Sequence, residues 1–189
     1  MIRAGLHLEE LIADNTHHAV HAPSKRCKSL KYADLQLNTL TQKTLVSKLK
    51  FKDEQDLKNT DLDFAVIDPD LKSITIIEMK DGDNFDTKKS AEETAKLFRL
   101  TDWLGARHPD WMVSPRIVFW NNEDLKKSSF KDKSAQKIKM NGHAAQGLLG
   151  VNCGQINSLR RLSLADNDVY LLERMASIVD KARQRGEIL

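Results

Sequence analysis

Two cysteines among 189 residues, Cys27 and Cys153, are too few and too far apart for a disulfide framework or a paired-cysteine metal site. Proline (4) and glycine (8) are scarce too, and no Gly/Ser-rich linker, internal repeat or low-complexity tract is present. That excludes a collagenous or disordered chain. No apolar run approaches the roughly 20 residues that a bilayer span needs, and residues 1–14 lack the apolar core of a signal peptide. There is no Walker loop, G-x-G-x-x-G or G-x-S-x-G, and neither cysteine sits in a recognisable nucleophile motif. The expectation is one reduced, cytoplasmic, soluble domain over residues 1–189, with no membrane partner and no nucleotide cofactor.

Charge is present but unevenly placed. The net value is +3. Residues 25–52 carry eight basic side chains against one acid, Asp34, and residues 53–93 carry thirteen acids against five lysines. Residues 121–140 turn basic again, six to three. An acidic centre between basic flanks suits a site that holds a cation and faces a polyanion; two solvated helix faces would produce the same counts.

Periodicity gives a coarse layout. Leu8, Leu11 and Ile12 predict a helix over residues 5–13, and residues 17–29 read as a loop holding His17, His18 and His21. No fourth ligand stands at zinc spacing, so an exposed loop explains those histidines better than a metal does. Leu30, Ala33, Leu37 and Leu40 predict an amphipathic helix to about Leu49. The β-branched runs 63–67 and 74–80, joined through Asp68, Pro69 and Asp70, predict a hairpin. A polar loop follows over 81–89, and Ser90-Ala-Glu-Glu93 reads as a capping box opening a helix that carries Leu97, Leu100 and Leu104 and ends at Gly105. Residues 116–120 form a strand, 144–149 a short helix and 171–182 a final amphipathic helix closed by Gly186. His108 and His143 read as surface residues, and Trp103, Trp111 and Trp120 as packing residues. The order α-α-β-β-α-β-mixed-α predicts an α/β sandwich around a small sheet.

The hairpin gathers chemistry. With Ile67 facing Ile74, Ala65 faces Ile76 and Asp63 faces Glu78. Alternation then puts Asp63, Glu78 and Lys80 on one face, with Asp61 opposite Lys80. Opposed acids repel unless something neutralises them. A divalent cation does so, and hard oxygen ligands suit Mg²⁺. Lys80 beside a metal-bound water could polarise a nucleophile or stabilise charge on a phosphate oxygen. The bland alternative is a solvated hairpin with an ordinary cross-strand ion pair.

Asp63 followed by Glu78-Met79-Lys80, on a hairpin between a first helix and a capped helix, resembles the PD-(D/E)XK nuclease superfamily, to which type II restriction endonucleases belong. The similarity covers roughly residues 5–120 in layout and three positions in chemistry. It implies a restriction-endonuclease-like α/β core, a small mixed β-sheet flanked by helices. It also implies Mg²⁺ held by Asp63 and Glu78, Lys80 as the water-activating residue, and Glu9 or Glu10 as a helper acid. The implied substrate is double-stranded DNA cut to 5′-phosphate ends, and a palindromic target would be matched by a homodimer. Leu62 stands where the motif has proline, and Pro69-Asp70 falls inside the turn, eight residues before Glu78, so it is set aside.

Around this core, Asp81-Gly-Asp83-Asn-Phe-Asp86 fails as an EF-hand because Phe85 and Gly82 are misplaced, though Asp83 or Asp86 could assist the site. Lys88 and Lys89 are candidate phosphate contacts in what could equally be a solvated loop. Residues 121–152 mix amides and lysines, among them Asn121, Asn122, Lys126 and Lys127; a substrate-reading insertion and a surface loop share that composition. Two other functions remain open: a structure-selective repair or phage-type nuclease, and a non-catalytic nucleic-acid-binding subunit.

Overall fold

The computed structural model describes residues 8–23, 29–51, 57, 60–81, 87–122, 125 and 133–184; the side chains of 87–90, 133, 134 and most residues beyond 162 fall outside that description. Helix α1 (Leu8–Asn15) leads into the short strands β1 (Ala19–His21) and β2 (Leu30–Lys31), which both pair in parallel with β3 (Thr44–Lys50). β4 (Asp61–Asp68) and β5 (Ser73–Lys80) form an antiparallel hairpin beside β3. Helix α2 (Thr87–Arg107) then crosses over to β6 (Met112–Phe119), parallel to β5, and α3 (Lys133–Ile138) leads to β7 (Lys139–Asn141), parallel to β6. Helices α4 (Gly142–Leu149) and α5 (Cys153–Gln184) finish the described chain. The sheet has seven strands, in the order β1-β3-β4-β5-β6-β7 with β2 also on β3.

Central strands buried on both faces need apolar residues at successive positions, and β4 to β6 supply them. Ala65, Ile67, Ile74, Ile76, Ile117 and Phe119 pack toward Leu97, Leu100 and Leu104 of α2. The alternate residues Phe64, Val66, Ile77, Met79 and Val118 pack toward Leu8, Leu11 and Ile12 of α1 and toward α4 and α5. The alternation breaks once. Leu49 and Leu62 lie with the α2-side cluster, as do Val46 and Ala65 three residues away on the same strands. Lys48, between them on β3, has φ +54°. A non-glycine residue in the left-handed region turns the strand by one step, so both of its flanks bury on one side.

The structure corrects several expectations. Residues 30–49 are not a helix: β2, two 3₁₀ turns (Tyr32–Asp34 and Leu37–Thr39) and β3 occupy them. Three-residue spacing suits short 3₁₀ turns as well as a helix face, and the β-branched stretch from Thr44 joins the sheet. Helix α2 starts at Thr87, so Ser90 and Glu93 are not its capping box, and it runs two residues past Gly105 to Arg107. The final helix begins at Cys153, not near 171. Residues 17–21 are not a free loop. The His17 N–H donates to the Gly150 carbonyl, His18 Nε2 lies 3.1 Å from the Leu148 carbonyl, and β1 carries His21. His108 bonds the buried Tyr32 hydroxyl. Burial holds both His18 and His108 below the ordinary histidine value.

In the 121–152 stretch, α3 contributes Ala135 and Ile138 to the core and α4 contributes Ala145 and Leu149. Asn141 caps α4, its side chain accepting the Ala144 N–H, and Gly150 closes it at φ +69°. A Cβ at Gly150 would come within 2.7 Å of Thr16 and of His18. Gly150→Ala is therefore expected to lower stability by more than the roughly 1–2 kcal/mol of a left-handed non-glycine residue, measured by urea denaturation.

Candidate active site

The site forms where the hairpin strands part. The β4–β5 ladder follows the expected register, Ile67↔Ile74 and Ala65↔Ile76, but ends at Phe64↔Ile77. Asp63 and Glu78 are therefore not a ladder pair. Instead the Asp63 carboxylate enters the opening and accepts the Met79 N–H at 2.7 Å. On its other side β3 pairs Ser47 with Phe64 and Leu49 with Leu62, leaving Lys48 and Asp63 opposite each other outside the ladder. The β4–β5 ladder does not reach Asp61 and Lys80, and on its other side Asp61 pairs with Lys50.

Glu78 is 8% exposed and lies between two ammonium groups. Lys80 Nζ is 2.9 Å from its Oε1 and Lys96 Nζ 3.2 Å from its Oε2. Lys80 also pairs with Glu93 at 2.8 Å, and Lys96 donates to the Asp61 carbonyl at 3.1 Å. Burial is the main reason that the Asp63 carboxyl is pushed up to about 7, with the Glu78 charge adding to it and that of Glu9 contributing further. The Met79 hydrogen bond and Lys80 oppose that rise without cancelling it. Burial disfavours the Lys80 charge, but the Glu93 and Glu78 carboxylates outweigh it and hold the lysine above its ordinary value.

Among the remaining expected residues, Glu10 is in the first turn of α1, paired with Lys48 at 3.2 Å. Asn121 donates to the Asp81 carbonyl and carboxylate, and Arg160 clasps Asp81 at 2.6 and 2.7 Å and Asn121 at 3.2 Å. Asn122 is buried. Lys88 and Lys89 are in the first turn of α2, their side chains outside the described residues; Lys126, Lys127, Asp83 and Asp86 lie outside them altogether. Asp70, in the literal Pro-Asp pair, is in the turn at the opposite end of β5 from Glu78. Sequence reasoning missed Glu93, Lys96 and Arg160. The signal for the first two was present: they stand four residues before Leu97 and Leu100, one turn up the sheet-facing stripe of α2.

Among the described residues, no group of three or more His, Cys, Asp or Glu side chains is arranged to hold a metal ion. What the site offers is two carboxylates, one desolvated and one held by lysines. Such a pair fits Mg²⁺, which commonly takes one or two carboxylates and keeps several waters.

The fold and site define a mixed α/β protein with a buried acid–lysine cluster at the diverging ends of two central strands. The chain is similar to the type II restriction enzyme HhaII of Haemophilus parahaemolyticus, at 32% identity over 105 residues, 54% of this chain and 46% of that enzyme. It therefore spans about half the length of the curated relative that it matches. No protein-family profile matches the chain, and no solved structure does. Among the described residues, no helix is long and apolar enough to cross a membrane.

Proposed function

We propose that this protein is a Mg²⁺-dependent PD-(D/E)XK endonuclease that hydrolyses phosphodiester bonds of double-stranded DNA, acting as a sequence-specific type II restriction enzyme. The observation that carries this reading is Asp63, desolvated against Glu78, with the Lys80 ammonium 2.9 Å from the same Glu78 carboxylate. The relationship to a type II restriction enzyme supports the substrate class. Asp63 and Glu78 would hold the ion, which when bound supplies Lewis-acid polarisation of a phosphate oxygen and an acidified water.

The chain's own residues do the rest. Lys80, kept charged by Glu78 and Glu93, has only protons to donate and can stabilise negative charge developing on a phosphate oxygen or orient the attacking water. Glu93 positions Lys80, and Lys96 positions Glu78. Attack forms a P–O bond to water and breaks the P–O3′ bond; the 3′-oxygen takes up a proton, leaving 5′-phosphate and 3′-hydroxyl ends. Incubation of phage λ DNA with protein and Mg²⁺ should yield discrete fragments, lost with EDTA. A smear would keep the nuclease and remove sequence specificity. Intact DNA would leave the binding-subunit reading.

The reading includes a homodimer in which helix α5 is the contact. Leu162, Val169, Leu172 and Val179 are all exposed, at steps of seven, three and seven residues. That is the seam spacing of paired helices, and water is a poor cover for it. Leu172→Glu should convert a dimer to a monomer with helix content retained, measured by light scattering and circular dichroism. A wild-type protein that is monomeric at high micromolar concentration would end this part of the reading.

A further inference from the structure

A polar cavity lies at the C-terminal ends of the parallel strands β6 and β7, where open α/β sheets bind ligands. It has a volume of about 200 Å³ and is bounded by Trp120, Asn141, His143, Asn157 and Arg161, among other residues. Adjacent strands put it beside the candidate active site. Lys80 pairs with Phe119, and Phe119 with Asn141. At about 4.8 Å per strand, Asn141 is roughly 10 Å from Lys80.

Several of the cavity's amide oxygens are spent inside the protein: Asn141 Oδ1 on the Ala144 N–H at 2.8 Å, and Asn157 Oδ1 on Trp120 Nε1 at 2.7 Å. Asn121 Oδ1 accepts from Arg160, which is itself occupied by Asp81. With the Asn141 oxygen taken by its cap, the Nδ2 amide and the Arg161 guanidinium are the donors that these lining residues offer, and His143 lines the cavity beside them. No acidic side chain lines it. Donors with no carboxylate beside them favour a ligand made of acceptor oxygens, and a guanidinium selects an anionic one.

We infer that this cavity binds a backbone phosphate of the polynucleotide, with Arg161 and Asn141 as its ligands. The inference rests on the proposed DNA substrate. The roughly 10 Å from Lys80 puts that phosphate on the same strand, close to the reacting bond. Holding the strand at two points fixes its position over Lys80, as phosphate contacts generally do.

The test is duplex-DNA binding by fluorescence anisotropy in EDTA across a salt series, where cleavage plays no part. Arg161→Gln should weaken binding about tenfold and flatten the log–log salt slope by about 0.9, the value for one phosphate. Asn141→Asp keeps the helix-capping oxygen but places a carboxylate in the cavity, and should weaken binding further. Unchanged affinity and slope in both variants would overturn the inference. Protection of wild type, but not Arg161→Gln, against thermal unfolding by inorganic phosphate, with DNA binding unaffected, would make this a free-phosphate site and also overturn it. Wild-type protein that binds DNA with the expected Arg161 dependence but never cuts would sink the nuclease reading and leave the cavity assignment standing. A nuclease indifferent to Arg161 would do the reverse. Failure of the wild type to bind DNA at any salt would remove both.

Discussion

Asp63→Asn is expected to abolish cleavage and, in the same molecule, to stabilise the cation-free protein at neutral pH. The two effects have one origin. Burial and the Glu78 charge raise the Asp63 carboxyl to about 7, against an ordinary value of 3.8. Folding therefore favours the protonated form, and ionised Asp63 opposes the native state. Wild-type stability without divalent ions should fall as pH rises from about 4 through about 7. At about 1.36 kcal/mol for each pH unit separating the folded and unfolded values, the loss is on the order of a few kcal/mol. The neutral amide of the Asn variant removes that slope and can still accept the Met79 N–H. Thermal melts at pH 4.5 and 7.5 in EDTA read this directly: the gap between wild type and variant should open only at the higher pH.

Added Mg²⁺ or Ca²⁺ should raise the wild-type melting temperature and leave Asp63→Asn unmoved, because binding to the native state alone stabilises it. Loss of a bound cation's contribution, several kcal/mol of transition-state stabilisation, corresponds to a fall in cleavage of about 10³-fold or more. A variant that still cuts, or that loses stability at pH 7.5, would contradict the assignment of Asp63. This pattern of gained stability and lost activity is typical of a group held in an unfavourable place for function.

Lys80→Ala should separate catalysis from cation binding. Removing a single donor aimed at developing charge lowers rates by about 10²–10³-fold. The carboxylates remain, so the cation-induced thermal shift should survive. Lys96→Ala makes the control: it too contacts Glu78, at 3.2 Å, but its other bond goes to the Asp61 carbonyl, so its loss should act mainly through the placement of Glu78. Lys80→Arg keeps the charge and can restore the Glu78 and Glu93 pairs, yet its planar fork differs from an ammonium, so rescue should be incomplete. Equal activity of Lys80→Ala and wild type would remove the lysine from the reaction.

The sequence by itself determined the hairpin and its register. Pro69 and the flanking aspartates force a turn, and the apolar runs on either side have one alignment that buries both faces, so Ile67↔Ile74 and Ala65↔Ile76 follow. The packing stripe of α2 was equally legible, because Leu97, Leu100 and Leu104 repeat on one helix face. Only the distal part of α5 was legible as a helix, whereas Cys153 and Ile156 at its start are buried in the cluster formed with α1.

Other features were decided by tertiary contacts. Whether Leu30 to Leu49 coils or extends depends on β3 having β4 beside it, a partner that no local spacing reveals. The cluster around Glu78 is of the same kind. Strand parity predicted a face, but the ladder stops at Phe64, Asp63 turns into the gap to bond Met79, and Glu93 and Lys96 descend from a helix whose true start lies three residues before the expected cap. Periodicity encodes which side of an element is apolar. The meeting of charges from three elements is set by how those elements pack, because burial and distance, not residue spacing, determine electrostatic energy.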